Sequence, residues 1–331
     1  MAAIIACMPY IFLLAGLVLL YYGAEWLVDA SAKLALRLGV KPLMIGLTIV
    51  AFGTSAPELV VSVQSALEGA GAISVGNVVG SNICNIALIL GLSALICPML
   101  VSKQLFRFDI PVCLFASGLL WFFLNDDDME VWEGVVLLVF FAGYVAWSIA
   151  NAKKSGDSGG EVVGGSGKPG SVARNIIFII AGLALLVAGA HLLVRGAVEL
   201  ATNWGVSEAV IGLTIVAVGT SLPELATSVI AAIKRQNDIA IGNIVGSNIF
   251  NILFILGVVG VMGPVRADGI LIRDILLVII LAAALFVPLI IKRVMARWIG
   301  AAFLITYVAY IVVLCMEMEI EHSHKTALVL M

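Results

Sequence analysis

Two acidic residues stand deep inside apolar stretches. They are Glu58 and Glu224, and each closes the motif Gly-Thr-Ser-x-Pro-Glu. Glu58 lies nine residues from the nearer end of the apolar run 41–67, about 13 Å at helical rise. A glutamate side chain cannot reach a membrane surface from there. A buried carboxylate costs several kcal/mol unless a proton or a cation neutralises it, and no Lys or Arg stands close to either acid in sequence. One such residue reads as a protonated structural acid; two, in matching motifs, point to a cation site. Pro57 has no N–H and its ring crowds the carbonyl of Gly53, and Pro223 does the same to Gly219. A helix break with exposed carbonyl oxygens is expected at both places. Open backbone at membrane depth is tolerated only inside protein or facing a watery cavity.

A second motif, Gly-Asn-x-x-Gly-Ser-Asn-Ile-x-Asn, follows each of these. Ser81 and Asn85 stand four apart and share a helix face, as do Ser247 and Asn251. Asn77, Asn82, Asn243 and Asn248 add amides; for Asn82 and Asn248, hydrogen bonding between helices is the plainer role. Gly76 with Gly80, and Gly242 with Gly246, are small-residue pairs that allow close helix approach. Carboxylate, hydroxyl, amide and carbonyl oxygens together suit hard cations such as calcium and sodium, not zinc or copper.

The elements that must position these groups are apolar. Of 331 residues, 62% are hydrophobic and 12% charged, about half the charged share of a soluble chain. Runs near twenty residues recur at 9–34, 41–67, 73–97, 108–124, 131–150, 174–201, 207–233, 239–262, 274–291 and 298–316. The first run has no charge before Glu25 and is long enough to span, so it is expected as a transmembrane helix rather than a signal peptide. The segment starting at Gly46 repeats at Gly212, an ungapped offset of 166, with 28 of 46 positions identical. Five spans per copy is an odd number, so the copies must be inverted. The expected fold is an all-α membrane protein of ten transmembrane helices in two inverted five-helix repeats, with helices 2 and 7 broken. The boundaries are 1–150 for the first repeat, 151–173 for a Gly/Ser-rich linker, 174–316 for the second repeat and 317–331 for a polar tail. Fourteen of the 18 Lys and Arg residues fall on the side reached after odd spans. The positive-inside rule makes that side cytoplasmic, with the linker inside and both termini outside.

GTSAPE with GNVVGSNICN, and GTSLPE with GNIVGSNIFN, closely resemble the repeats of the cation/calcium exchanger superfamily, in its prokaryotic sodium/calcium exchanger branch. The resemblance implies a secondary antiporter of the cell membrane, plasma or inner, exchanging calcium for sodium by alternating access. It implies four central side chains, Glu58, Asn85, Glu224 and Asn251. It also implies supporting oxygens from Ala51, Thr54, Ser55 and Ser81, with counterparts Ala217, Thr220, Ser221 and Ser247. Potassium-dependent relatives carry an acid at the place of Asn251, so the neutral amide leans against potassium co-transport.

The alternative within the same fold is a calcium/proton or other divalent-cation exchanger. A passive channel or an intramembrane protease is the rival from outside it, and a protease does not explain the duplicated Ser/Asn set. The expected partners are calcium, sodium and the lipid bilayer, with no cofactor. Net charge of −3 without a basic stripe argues against nucleic acid. Glu25 and Asp29, with His191 and Arg195, are expected as interfacial anchors or gating contacts. Asp126–Asp128 are expected as a solvated loop, and His322 and His324 as part of the tail. The five cysteines show no CxxC spacing and are expected to pack.

Overall fold

The computed structural model describes residues 2–126, 128–152, 171–204, 217–267 and 271–329. In chain order the helices are α1 (Ala2–Leu38), α2 (Pro42–Thr54), α3 (Ala56–Leu67), α4 (Gly71–Ile96), α5 (Leu105–Phe123), α6 (Val131–Asn151), α7 (Val172–Asn203), α8 (Leu222–Ile233), α9 (Asn237–Met262), α10 (Ile272–Ile291) and α11 (Arg297–Val329). Among the described residues eight of these are long and apolar enough to cross a membrane, or nine with α2 and α3 counted as one broken span. The segment 207–216 that begins the expected seventh span lies outside the described residues. So do most of the linker and Asp127. The side chains of His322 and His324 are likewise not described; the backbone of the expected tail continues α11 as helix to Val329.

The polar motifs dictate where their helices sit. In α4 and α9, which carry the Ser/Asn sets, 72% and 83% of the most apolar window is buried, against 17–44% in the other six spans. Polar side chains facing lipid have no partner, so these two helices are wrapped by the apolar ones. α1 and α7 form a long antiparallel pair on one side. They meet at glycines: a Cβ on Gly23 falls 2.8 Å from the Gly182 carbonyl oxygen, and one on Gly182 falls 2.8 Å from that of Gly23. Cys84, Cys97, Cys113 and Cys315 are free thiols.

Four two-residue strands tie the loops together. β1 (Met99–Leu100) pairs with β4 (Val294–Met295), and β2 (Asp128–Met129) with β3 (Val265–Arg266), both antiparallel. The sequence offset of 166 turns 99 into 265 and 128 into 294. It therefore exchanges one strand pair for the other. The glycine contacts obey the same exchange, since 16 becomes 182 and 23 becomes 189, while Gly16 meets Gly189 and Gly23 meets Gly182.

Candidate cation site

The first Gly-Thr-Ser-x-Pro-Glu motif interrupts a helix, and the second stands between a short helical turn and α8. α2 stops at Thr54, Ser55 has φ −83° and ψ 9°, and α3 restarts with Ala56-Pro57-Glu58, bent by 44°. A helical turn at Ala217–Gly219 precedes Ser221, with φ −88° and ψ 6°, and α8 restarts with Leu222-Pro223-Glu224. Proline fits a first helical turn, where its N–H is not needed, and cannot continue the turn before it. Each Glu thus sits in the first turn of a new helix, where the helix dipole favours an anion. Both are fully buried.

The two motifs interlock across the molecule. Ser55 Oγ donates to Glu224 Oε1 at 2.8 Å, and Ser221 Oγ donates to Glu58 Oε1 at 3.2 Å. Ser247 Oγ donates to Glu224 Oε1 at 3.4 Å, and Ser221 Oγ lies 3.3 Å from Ser81 Oγ. Each half's break therefore supports the other half's acid. No described Lys or Arg forms an ion pair with either Glu.

Asn85 and Asn251 sit in π-helical turns, at Cys84–Leu90 in α4 and Asn251–Ile255 in α9. Such widened turns recur at functional sites because they redirect side chains. Asn85 Nδ2 donates to Asn248 Oδ1 at 3.0 Å, and Asn251 Nδ2 donates to Asn82 Oδ1 at 3.2 Å. What remains open is informative. Among the described residues, Glu58 Oε2, Glu224 Oε2, Asn85 Oδ1 and Asn251 Oδ1 are all buried and accept no hydrogen bond. Buried acceptors without partners are costly. Carboxylate and amide oxygens are the donor types that a hard cation takes.

The supporting residues are placed unevenly. Thr54 Oγ1 lies 3.1 Å from Asn243 Oδ1, and Thr220 Oγ1 is buried without a partner among the described residues. The Ala51 carbonyl accepts from Ser55 N at 3.0 Å and from Thr54 Oγ1 at 3.3 Å, whereas the Ser221 N–H turns to Val218 O. The side chain of Ala217 lies outside the described residues. Asn77 and Asn243 bond Ser62 and Ser228, clipping α3 to α4 and α8 to α9. The π turns carry no pattern that sequence inspection recognises, whereas the amide cross-links to Asn82 and Asn248 are the bonding between helices expected of those two residues.

Glu25 and Asp29 meet protein rather than solvent alone. Lys234, after α8, reaches them at 3.2 and 2.9 Å. Shifted by 166, these three positions become His191, Arg195 and Glu68, with every charge sign reversed or cation-capable. Here the mirrored set is apart: the Arg195 guanidinium lies over Phe12, and Glu68 accepts from Gln64.

A family profile described as "Sodium/calcium exchanger protein" matches residues 8–150 and 174–316. The chain belongs to the sodium/calcium exchanger protein family. This exchanger is accordingly a multi-pass membrane transporter and a cation antiporter. It is 33% identical to sodium/calcium exchanger MaX1 of Methanosarcina acetivorans, over 92% of this chain and 98% of that one. It is 35% identical to inner membrane protein YrbG of Escherichia coli, over 77% and 80%. A structure of the sodium-calcium exchanger NCX_Mj soaked with zero sodium and calcium aligns with a TM-score of 0.80 at 35% identity, covering 93% of this chain and 99% of that one.

Proposed function

We propose that this exchanger moves calcium against sodium by alternating access at one central site. Glu58, Glu224, Asn85 and Asn251 are the central ligands, supported by Ser55, Ser81, Thr54 and Ala51 and by Ser221, Ser247, Thr220 and Ala217. The observation that carries the proposal is the set of four buried, unpartnered oxygens on those central residues. MaX1 and NCX_Mj are both named as sodium/calcium exchangers, which favours this ion pair over protons or other divalent ions.

The architecture proposed is ten transmembrane helices in two inverted repeats, 1–150 and 174–316, joined by the 151–173 linker and followed by the 317–331 tail. The strand pairs and serine–glutamate bonds that exchange under the 166 offset support it. The termini face out of the cytoplasm, and the membrane is the plasma or inner membrane, as the name of YrbG suggests. Two carboxylates balance one calcium or two sodium ions. The neutral oxygens offer room for a third sodium, whose charge crosses the membrane uncompensated. The closed Lys234 set and the open Glu68 set support a cycle in which one face is latched while the other is free.

The test is calcium-45 uptake into proteoliposomes loaded with sodium. Uptake that needs the outward sodium gradient is the expected result. Uptake driven equally by a proton gradient, with sodium absent, overturns the choice of sodium; flux without any counter-ion overturns exchange itself.

A further inference from the structure

We infer that Asn248 is a positioning residue that aims the amide of Asn85 so that its oxygen, not its nitrogen, faces the cation. The inference deepens the function proposed above and rests on it.

An asparagine side chain has an acceptor end and a donor end. Turned one way, Asn85 is a ligand; turned the other, it presents two N–H groups to a positive ion. Nothing in the residue itself chooses. In this structure Asn85 Nδ2 donates to Asn248 Oδ1 at 3.0 Å, leaving Asn85 Oδ1 buried and open. Asn248 is an amide too and could in principle turn with its neighbour. It is held by a group that cannot turn: Asn248 Nδ2 donates to the main-chain carbonyl of Asn82 at 3.3 Å. A backbone carbonyl only accepts. That fixes the donor end of Asn248, hence its acceptor end, hence the donor end of Asn85, and so the open oxygen.

The opposite arm lacks the anchor. Asn251 Nδ2 donates to Asn82 Oδ1 at 3.2 Å, but Asn82 Nδ2 is buried with no hydrogen-bond partner among the described residues. The Asn248 arm is therefore the one whose orientation is locked. It also joins halves, because Asn85 lies on α4 and Asn248 on α9. Helix–helix adhesion alone explains a bond between these two amides; it does not explain why both bonds leave a buried acceptor open.

The experiment is a double-mutant cycle read by equilibrium calcium-45 binding to the purified full chain, with melting temperature measured alongside. Asn248→Ala removes the aiming group. It is expected to weaken calcium binding about tenfold, the worth of one buried hydrogen bond. Asn85→Asp makes aiming unnecessary, because either carboxylate oxygen can face the ion. In that background Asn248→Ala is expected to cost less than about twofold. A residue needed only for packing lowers both backgrounds equally, and an equal loss overturns the positioning role. So does unchanged binding in Asn248→Ala alone. Complete loss of calcium binding in Asn85→Asp by itself instead contradicts the placement of residue 85 at the cation, and with it the proposed function.

Discussion

Glu224→Gln separates charge from shape at the proposed site. Glu224 Oε1 accepts from Ser55 at 2.8 Å and from Ser247 at 3.4 Å, and Gln keeps an oxygen for both. Its amide nitrogen takes the place of Oε2, the buried oxygen that has no partner. The fold should hold. Two charge-assisted bonds become neutral ones, costing about 1 kcal/mol each, while the desolvation cost of a buried charge disappears. The cation loses far more. A unit charge about 4 Å from a divalent ion, at an effective dielectric of about 20, contributes about 8 kcal/mol. If solvation of the ion-free site offsets half, calcium binding still weakens about a thousandfold. A sodium ion loses half as much as a calcium ion, so selectivity shifts towards sodium. The assay is calcium-45 binding in detergent and gradient-driven uptake in proteoliposomes, with melting temperature as the fold control. A variant that melts with the parent and binds calcium within tenfold of it refutes the reasoning.

Protons seek the same carboxylate oxygens as calcium, so acid should weaken transport. Below neutral pH, apparent calcium affinity is expected to fall by up to about one decade per pH unit for each acid displaced; a flat profile from neutral to clearly acidic pH removes Glu58 and Glu224 as direct ligands. A third sodium makes exchange electrogenic, worth about 2.3 kcal/mol per charge for each 100 mV, or about fiftyfold in the calcium gradient. Calcium flux in liposomes clamped with potassium and valinomycin measures this, and insensitivity to potential indicates electroneutral exchange. Lys234→Gln releases Glu25 and Asp29; the pairs are partly exposed, so the shift between the two access states is up to about fivefold. Hydrogen exchange at the end of α8 should rise, and an unchanged pattern argues against a latch.

The burial of both acids was legible from their place inside apolar runs and from its repetition at an offset of 166. The break at Ser55 was legible because Pro57 removes a donor whatever surrounds it, and the dihedrals at Ser221, before Pro223, nearly coincide with those at Ser55. Tertiary choices were not. Asn82 and Asn85 belong to one motif, and spacing alone does not say which amide faces the ion and which backs it. The π turns at Cys84–Leu90 and Asn251–Ile255 depend on a shift in backbone bonding that no residue type encodes. Lys234 meets Glu25 and Asp29, but a contact across 209 positions of chain carries no local signal. The Ala51 carbonyl, proposed among the supporting oxygens, also accepts from Ser55 N and Thr54 Oγ1, a pairing the motif does not announce.

The most direct test of the central claim is anomalous scattering from crystals of the exchanger soaked in strontium, a divalent ion with oxygen preferences like those of calcium. The account predicts one dominant peak within bonding distance of Glu58 Oε2, Glu224 Oε2, Asn85 Oδ1 and Asn251 Oδ1, weakened as sodium is added. A dominant peak elsewhere, or none there in a preparation that exchanges strontium, contradicts it.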